Sequence, residues 1–139
     1  MVHALEESRR VLTHNGRLID IRPLSSYPPV EVITSNGARL AGRADDSLGI
    51  PDDQAANNAI ADAVRQGIFF KDADERFEFF YYWDTMEQMQ AYIKDRWDDW
   101  VILRDTTLQN AAQIISESTG QIQLRITLTM LISVYGKRG

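Results

Sequence analysis

The chain has 139 residues, a length typical of one domain with a core of its own. Its formal charge of −5, with no Lys/Arg cluster, disfavours nucleic acids and anionic membrane surfaces as partners. No apolar run approaches the roughly 20 residues that span a bilayer, and the absence of Cys excludes disulfides and thiolate metal sites. We therefore expect a cytoplasmic protein without membrane or nucleic-acid partners.

The first predicted elements are an amphipathic helix and a strand. The helix covers residues 3–13, and its inner side consists of Leu5, Ser8, Val11 and Leu12. Asn15-Gly16 ends the helix, and residues 17–22 then form a strand whose apolar side chains are Leu18, Ile19 and Ile21. Because neighbouring side chains point to opposite sides of a strand, we expect both faces of this one to be covered, as in a layered α/β sheet.

The clearest turn signal of the sequence lies at Asn36-Gly37. Both residues tolerate the positive φ angles of a type I′ turn, so residues 30–43 are predicted to form a hairpin. That turn would place Ile33 opposite Leu40 on one face of the hairpin.

A helix is predicted next, because Pro51 suits a first helical turn and Gly67 suits a helix end. Its buried side would consist of Ala55, Ala59, Ile60, Ala63 and Val64. Four carboxylates lie before the helix and in its first turn: Asp45, Asp46, Asp52 and Asp53. They either bind a hard cation or, as we favour, stabilise the helix N-terminus and solvate the preceding loop.

The most informative feature is a concentration of aromatic residues, since residues 68–83 contain eight of the thirteen in the chain. We interpret this stretch as a second hairpin, in which residues 68–70 return as residues 76–83 around a turn at 71–75. The candidate site residues of the returning strand are Phe77, Phe79, Phe80, Tyr81, Tyr82 and Trp83. Alternation divides them between two faces, with Phe77, Phe79 and Tyr81 on one and Phe80 and Tyr82 on the other.

This aromatic set has two interpretations, since both of its faces must be covered. The first is a hydrophobic core together with a subunit interface. The second is an aromatic-lined pocket for an apolar or planar ligand, in which Tyr82 and Trp83 would supply the polar groups. The sequence leaves both interpretations open.

Two more helices are predicted in the last third of the chain. The first follows a capping box that starts at Asp84 or Thr85, and its inner side consists of Met86, Met89, Ile93 and Trp97. The second begins at Asp105 or Thr106, and its inner side consists of Leu108, Ala111, Ala112 and Ile115.

Two strands complete the prediction. Residues 98–103 read as a short strand. From Ile122 to Val134 apolar residues alternate with mostly polar ones, which predicts a long strand with one buried face. The predicted fold class is therefore α+β: a small mixed β-sheet with hairpins, about four helices and a long C-terminal strand.

No metal or catalytic site is predicted. The two histidines, His3 and His14, have no second ligand at a metal-binding spacing. Residues 72–75 begin like a calcium loop but lack its later glycine and glutamate. The sequence therefore leaves the catalytic residues unknown.

Residues 4–21, which read ALEESRRVLTHNGRLIDI, resemble a segment of the class I S-adenosylmethionine-dependent methyltransferases. In that family a helix ending in an Arg-Val-Leu-type sequence leads into the fifth strand of the sheet. The turn between them is Pro-Gly-Gly-like, and here it reads His14-Asn15-Gly16. The resemblance implies that residues 84–89 belong to the family's last helix and residues 100–103 to its sixth strand. Residues 121–135 would form the seventh strand, which runs antiparallel between the fifth and the sixth.

The resemblance makes residues 1–139 a single domain that corresponds to the C-terminal part of the family's fold, with an insertion over residues 23–83. The family holds S-adenosylmethionine with a Gly-rich turn after its first strand and an acidic residue after its second. No Gly-x-Gly-x-Gly-like segment occurs in this sequence. The resemblance thus assigns no cofactor-binding residue here, and we expect S-adenosylmethionine to bind only if another chain completes the fold.

Three functions follow as hypotheses. The chain is a methyltransferase-like protein that is not catalytic alone, one component of a split methyltransferase, or a small-molecule binder with an aromatic-lined pocket. We also expect a homo-oligomer, most simply a two-fold dimer, because residues 17–22 lack the fourth strand beside which the family's fifth strand lies. A methyltransferase N-terminal half is the other expected partner.

Overall fold

A computed structural model describes residues 2–138 of the chain. Its elements, in chain order, are α1 (Val2–Val11), β1 (Arg17–Pro23), β2 (Pro29–Thr34), β3 (Gly37–Arg43), a 3-10 turn (Ser47–Gly49), α2 (Ile50–Arg65), β4 (Phe69–Trp83), α3 (Met86–Arg96), α4 (Asp105–Glu117) and β5 (Gln123–Lys137). The α+β class, the four helices and the long C-terminal strand are therefore confirmed.

Strand β5 is the centre of the five-stranded sheet. It pairs antiparallel with β1, from Arg17 opposite Gly136 to Pro23 opposite Met130. Its beginning pairs antiparallel with β2, which in turn pairs antiparallel with β3. Strand β4 also pairs with β5. Where we predicted a mixed sheet, the pairs β1–β5, β2–β5 and β2–β3 are all antiparallel.

The described residues group into two compact units. The first unit contains residues 2–24, 50–77 and 130–138, and the second contains residues 25–49 and 78–129. Strands β4 and β5 each contribute residues to both units.

The core of the first unit joins α1, α2 and the strands. Its buried residues are Leu5, Ala59, Ala63, Phe69 and Tyr135, against which Leu12, Leu18, Ile60, Val64 and Ile68 pack. Helix α2 begins at Ile50 with Pro51 in its first turn, and Gly67, with φ +71°, follows its end as predicted. Ala55 is exposed, so the buried stripe of α2 is shorter than the sequence suggested.

One face of β1 is uncovered in the described residues. Leu18 packs against the core of the first unit. Ile19 and Ile21, on the opposite face, remain 57% and 55% exposed, and Val11 on α1 is also exposed. The expectation that both faces of this strand are covered is therefore wrong for the described residues. Leu18 receives its cover from α1 and α2, whereas no described element covers the other face.

The core of the second unit lies between the β2–β3 hairpin, the beginning of β5 and the helices α3 and α4. Its buried apolar residues include Val30, Val32, Met89, Ile93, Ala111, Ile114, Leu124 and Ile126. Helix α4 lies against β3, where Asn110 donates a 2.9 Å hydrogen bond to the carbonyl of Ala41. A Cβ at Gly42 would overlap the Thr107 side chain, so the glycine permits this close approach.

The first hairpin is confirmed, but its turn is shifted by one residue. Thr34 pairs with Gly37, and Ile33 lies opposite Ala38 rather than Leu40. The Thr34 hydroxyl accepts a hydrogen bond from the Asn36 amide at 3.2 Å and lies 3.2 Å from the Gly37 carbonyl, as a donor to it. These local bonds favour a loop at Ser35-Asn36, with Gly37, at φ +111°, beginning the second strand.

Two predicted elements are wrong. Residues 68–83 do not form a second hairpin, because Phe69–Trp83 is one continuous strand. Apart from Asp72 and Asp74, the segment has none of the residues that favour turns. Residues 98–103 form no strand beyond an isolated bridge between Ile102 and Asp45. The amides of Trp100 and Val101 instead bond back to the Trp97 carbonyl, which makes this segment a turn after α3.

The burial of β5 changes along its length. Leu124, Ile126 and Leu128 are buried as predicted, although Thr127 between them is buried as well. Beyond them the buried side chains are Ser133 and Tyr135, while the apolar residues Met130, Ile132 and Val134 are half-buried. A single buried face is thus correct only for the first half of the strand.

Candidate functional site

The aromatic part of β4 is more exposed than the sequence suggested. Every residue from 71 to 80 is exposed. The exposed fractions of Phe77, Phe79, Phe80 and Tyr82 lie between 40% and 48%, whereas Tyr81 and Trp83 are half-buried. The described residues thus leave much of this strand in solvent, and the choice between a subunit interface and a ligand pocket stays a prediction. The ring contacts reproduce the predicted division for Phe79 with Tyr81 on one face and for Phe80 with Tyr82 on the other.

On the first face, alternate rings of β4 form a ladder. The Phe79 and Tyr81 centroids are 5.2 Å apart and edge-on, and those of Tyr81 and Trp83 are 6.1 Å apart and stacked. Helix α3 adds Tyr92, and Trp97 at its C-terminal end lies edge-on to Tyr81 at 4.8 Å. Such offset and edge-on contacts each stabilise beyond the area that they bury. This face is a packed aromatic cluster.

The sequence-based prediction did not include Tyr92 in this cluster, although it placed Trp97 on the inner side of the helix. Tyr92 lies three residues after the buried Met89 and one before the buried Ile93, so helical spacing could have identified it. Burial raises the pKa of the Tyr81 phenol, and the neighbouring Tyr92 adds to this effect. The neutral phenol is thus the favoured form of Tyr81.

A groove of about 590 Å³ runs beside the cluster and is largely open to solvent. Tyr82, Trp83 and Tyr92 line it together with the carboxylates of Asp84 and Asp95. The Trp83 and Tyr92 rings are 5.5 Å apart and contact each other, so a ligand could rest on their edges but not between them. This is the part of the second unit that corresponds to the predicted aromatic-lined pocket.

On the second face, Phe80 and Tyr82 lie 6.4 Å apart and contact an arginine. The Arg125 guanidinium is 5.4 Å from the Phe80 centroid and 6.0 Å from that of Tyr82, within the range of cation–π attraction. Its Nε and one terminal nitrogen donate to the same Glu31 carboxylate oxygen at 3.0 Å and 2.7 Å. The hydrogen bond with Tyr82, followed by the Glu31 carboxylate, raises the pKa of Arg125.

Neither Arg125 nor Glu31 was identified from the sequence. They are 94 residues apart, and the antiparallel register of β2 and β5 places them directly opposite each other. No local sequence pattern specifies which residues of β2 and β5 lie opposite each other. The pair is therefore visible only in the folded sheet.

The four carboxylates around the start of α2 have structural roles. Asp46 is buried and accepts the amides of Ser26 and Tyr27 at 2.9 Å each. Asp45 accepts from the hydroxyl and amide of Ser47, and these hydrogen bonds lower its pKa. Asp52 and Asp53 occupy the first turn of α2, where their charge favours the helix.

No metal centre is formed by residues 2–138, since no group of three His, Cys, Asp or Glu side chains converges there. His3 is exposed beside Glu6, and His14 is exposed as well. Within the same residues, no helix has the length and apolar character needed to cross a membrane. No family model, no curated protein and no solved structure matches the chain.

Proposed function

We propose that this chain is the C-terminal half of a methyltransferase-like fold, not catalytic alone, and that β1 receives a cofactor-binding half. One observation carries the proposal: β1 has a strand partner on one edge only, and Ile19 and Ile21 on one of its faces are more than half exposed. Apolar side chains that point both ways are typical of a strand in a sheet with helices on both faces.

The strand order supports this proposal. The C-terminal strand β5 runs antiparallel beside β1, as the family's seventh strand does beside its fifth. Strand β4 also pairs with β5 and would take the place of the sixth strand, which we had assigned to residues 100–103. Helix α1 precedes β1, in the order that the segment 4–21 implies.

The two faces of β1 also support it. Leu18 is covered by a core that includes Leu5 of α1 and Ala59 of α2. The missing cover of Ile19 and Ile21 corresponds to one helical layer of a layered sheet. A cofactor-binding half would bring that layer together with a fourth strand for the open edge of β1. The added strand would pair with the open backbone edge of β1, and the added helix would cover its apolar face.

The chain itself supplies no group that holds S-adenosylmethionine under this proposal. The sequence contains no Gly-rich loop of the family's type, and in the described residues no group of three or more His, Cys, Asp or Glu side chains could hold a metal ion. We therefore expect the protein to act as the scaffold half of a cytoplasmic, two-part assembly.

Isothermal titration of the chain with S-adenosylmethionine tests this assignment. We expect no saturable heat, because the binding loops belong to the other half. Saturable binding at micromolar concentrations would contradict it, since the chain would then hold the cofactor without that half. S-adenosylhomocysteine serves as the matched second titrant, because it shares the adenosine and the amino acid but lacks the methyl group.

We propose a homodimer through β4 as a second feature of the assembly. Residues 71–80 are exposed throughout, and no described strand pairs with β4 other than β5. From Glu78 to Trp83 the strand carries one charge among five aromatic residues, so little prevents edge-to-edge pairing. A second copy is the occupant that we favour, because identical edges pair antiparallel about a two-fold axis.

Light scattering after size exclusion tests the dimer at several concentrations down to the low micromolar range. We expect a dimer mass that Phe79→Glu reduces to a monomer mass. The matched variant Ile19→Glu changes the other exposed strand and should leave the dimer intact. A monomer mass for the unmodified chain at every concentration would contradict the proposal.

A further inference from the structure

A cavity of about 410 Å³ that is partly open to solvent lies in the first unit, between α2 and the face of the sheet formed by β1 and β5. The register pairs Asp20 with Ser133 and Arg22 with Leu131, so their side chains share this face. Its volume lies in the range of small-molecule sites.

One wall of the cavity is aliphatic. Ile60, Ala61 and Val64 of α2 face it, in the i, i+1, i+4 spacing of a single helical side, and Leu131 of β5 lies opposite. These side chains would contact the apolar part of a ligand. None of these side chains can form a hydrogen bond with a polar group of a ligand. Polar contacts must therefore come from the other residues that line the cavity.

Two buried hydroxyl groups line the same cavity. Ser133 is 1% exposed and Tyr135 is 5% exposed, and both side chains line the cavity. A hydroxyl can both donate and accept a hydrogen bond. Two hydroxyls on neighbouring positions of one strand face therefore offer hydrogen bonds to a polar group of a ligand.

Three cationic side chains, Arg22, Arg65 and Lys71, also line the cavity. Arg22 is held in place, since its Nε donates to Asp20 at 3.0 Å and a terminal nitrogen donates to Asn57 at 2.7 Å. Its other terminal nitrogen lies 3.4 Å from the Asp53 carbonyl. A guanidinium has five N–H groups, so two of them remain for a ligand.

The other two cations are more exposed. Lys71 forms an ion pair with Asp74 at 2.8 Å, and Arg65 forms one with Asp62. Both pairs are surface pairs of the kind that is weak and readily exchanged for another anion.

We propose that this cavity binds a small organic anion with an apolar body, such as a medium-chain carboxylate. The carboxylate would accept from Arg22 and Lys71 and from the hydroxyls of Ser133 and Tyr135. The chain of the ligand would lie along Ile60, Val64 and Leu131. The buried hydroxyls and the oriented guanidinium together distinguish this cavity from an apolar gap, which would stay dry or bind a hydrocarbon.

Calorimetric titration of the full chain with decanoate tests the proposal, with decanol as the neutral ligand of equal chain length. We expect saturable binding of decanoate with one site per chain and at least tenfold weaker binding of decanol. Absence of saturable decanoate binding, or equal binding of decanol, would overturn the assignment.

A pair of matched variants locates the site. Ala61→Phe places a ring at the wall of the cavity, whereas Ala55→Phe places the same ring on an exposed part of the same helix. Both positions are exposed, so both variants should fold, which circular dichroism will check. We expect a tenfold or greater loss of decanoate affinity for Ala61→Phe and no change for Ala55→Phe. Equal affinities in the two variants would place the binding elsewhere and overturn the proposal.

A second pair tests the charge. Lys71→Gln removes a cation that lines the cavity, and Arg76→Gln removes an exposed cation farther along the same strand. We expect about threefold to tenfold weaker decanoate binding for the first variant only, with decanol unaffected. Equal weakening by both variants would mean that the anion responds only to the general charge of the surface.

Discussion

Strands β1 and β4 both pair with β5 and both leave apolar side chains in solvent, but they do so differently. On β1 the exposed residues Ile19 and Ile21 occupy one face, while Leu18 packs into the core of the first unit. On β4 every residue from 71 to 80 is exposed, so both faces meet solvent there. One exposed face fits our proposal that β1 lacks one layer of a layered sheet, whereas over residues 71–80 of β4 both faces meet solvent.

The chemistry of the exposed groups differs in the same way. The side chains of Ile19 and Ile21 are purely aliphatic and form no hydrogen bonds with water. On β4, Tyr82 carries a hydroxyl and lies with Phe80 beside the Arg125 guanidinium. Aromatic groups with a polar partner tolerate solvent and are enriched at interfaces. This difference in chemistry underlies our two proposals, a permanent partner at β1 and a homodimer through β4.

The largest expected effect distinguishes the two faces of β4. Trp97→Ala removes the ring that contacts Tyr81, Trp83 and Tyr92, and we expect it to lower the free energy of unfolding by about 3–5 kcal/mol. Tyr82→Ala, on the other face, should cost about 1 kcal/mol. Urea unfolding monitored by fluorescence and circular dichroism measures both. Similar losses for the two variants would show that the first face is not a packed cluster.

The next effect distinguishes the two faces of β1. Leu18→Asp introduces a charge against the core, and we expect it to lower the free energy of unfolding by about 2–3 kcal/mol. Ile19→Asp places the same charge on the exposed face and should cost less than about 1 kcal/mol in the isolated chain. Thermal and urea unfolding of the two variants provide the comparison. A large loss for Ile19→Asp alone would mean that the face is already covered.

Local signals in the sequence predicted the parts of the fold that depend on neighbouring residues. Thr85 caps α3 by accepting the Gln88 amide, and Pro51 and Gly67 lie near the two ends of α2 as predicted. The errors concern burial and pairing between distant segments. The continuity of β4 and the exposure of Ile19 depend on which elements lie beside them, and no local pattern encodes that.

For the candidate site, too, the sequence predicted the local features but not the partners from distant segments. Alternation correctly divided the aromatic residues of β4 into two faces, because strand geometry has a fixed period. The partners of those faces, Tyr92 on one and Arg125 with Glu31 on the other, come from α3, β5 and β2. Their positions follow from the sheet register and the packing of α3, so sequence alone could not supply them.

A smaller effect concerns the pair that supports the second face of β4. Glu31→Leu leaves Arg125 half-buried without its carboxylate, and we expect a loss of about 1–2 kcal/mol in unfolding free energy. The double variant Glu31→Leu with Arg125→Leu should recover part of that loss, because no unpaired charge remains. A double-mutant cycle by urea unfolding measures the coupling. Strict additivity of the two single variants would contradict a direct interaction.

The smallest effect is a pH dependence on the first face of β4. The pKa of Tyr81 is raised in the folded chain, so an unfolded chain releases this proton at lower pH than the folded chain does. The contribution of Tyr81 is therefore fully present below its unfolded pKa of about 10 and is lost as pH rises toward the folded value. We expect Tyr81→Phe to reduce the loss of stability above that pH, as measured by urea unfolding. An unchanged pH profile in the variant would contradict this origin.

Hydrogen exchange along β1 tests most directly whether this strand has an open edge in the isolated chain. The Lys137 amide donates to the Gly16 carbonyl, so the alternation of an antiparallel ladder turns the amides of Leu18 and Asp20 toward β5. The amides of Ile19 and Ile21 then point toward the opposite edge. We expect rapid exchange at Ile19 and Ile21, and protection at Leu18 and Asp20, at every protein concentration. Equal protection of all four amides would show that the edge is already covered and would contradict the proposal that it receives a cofactor-binding half.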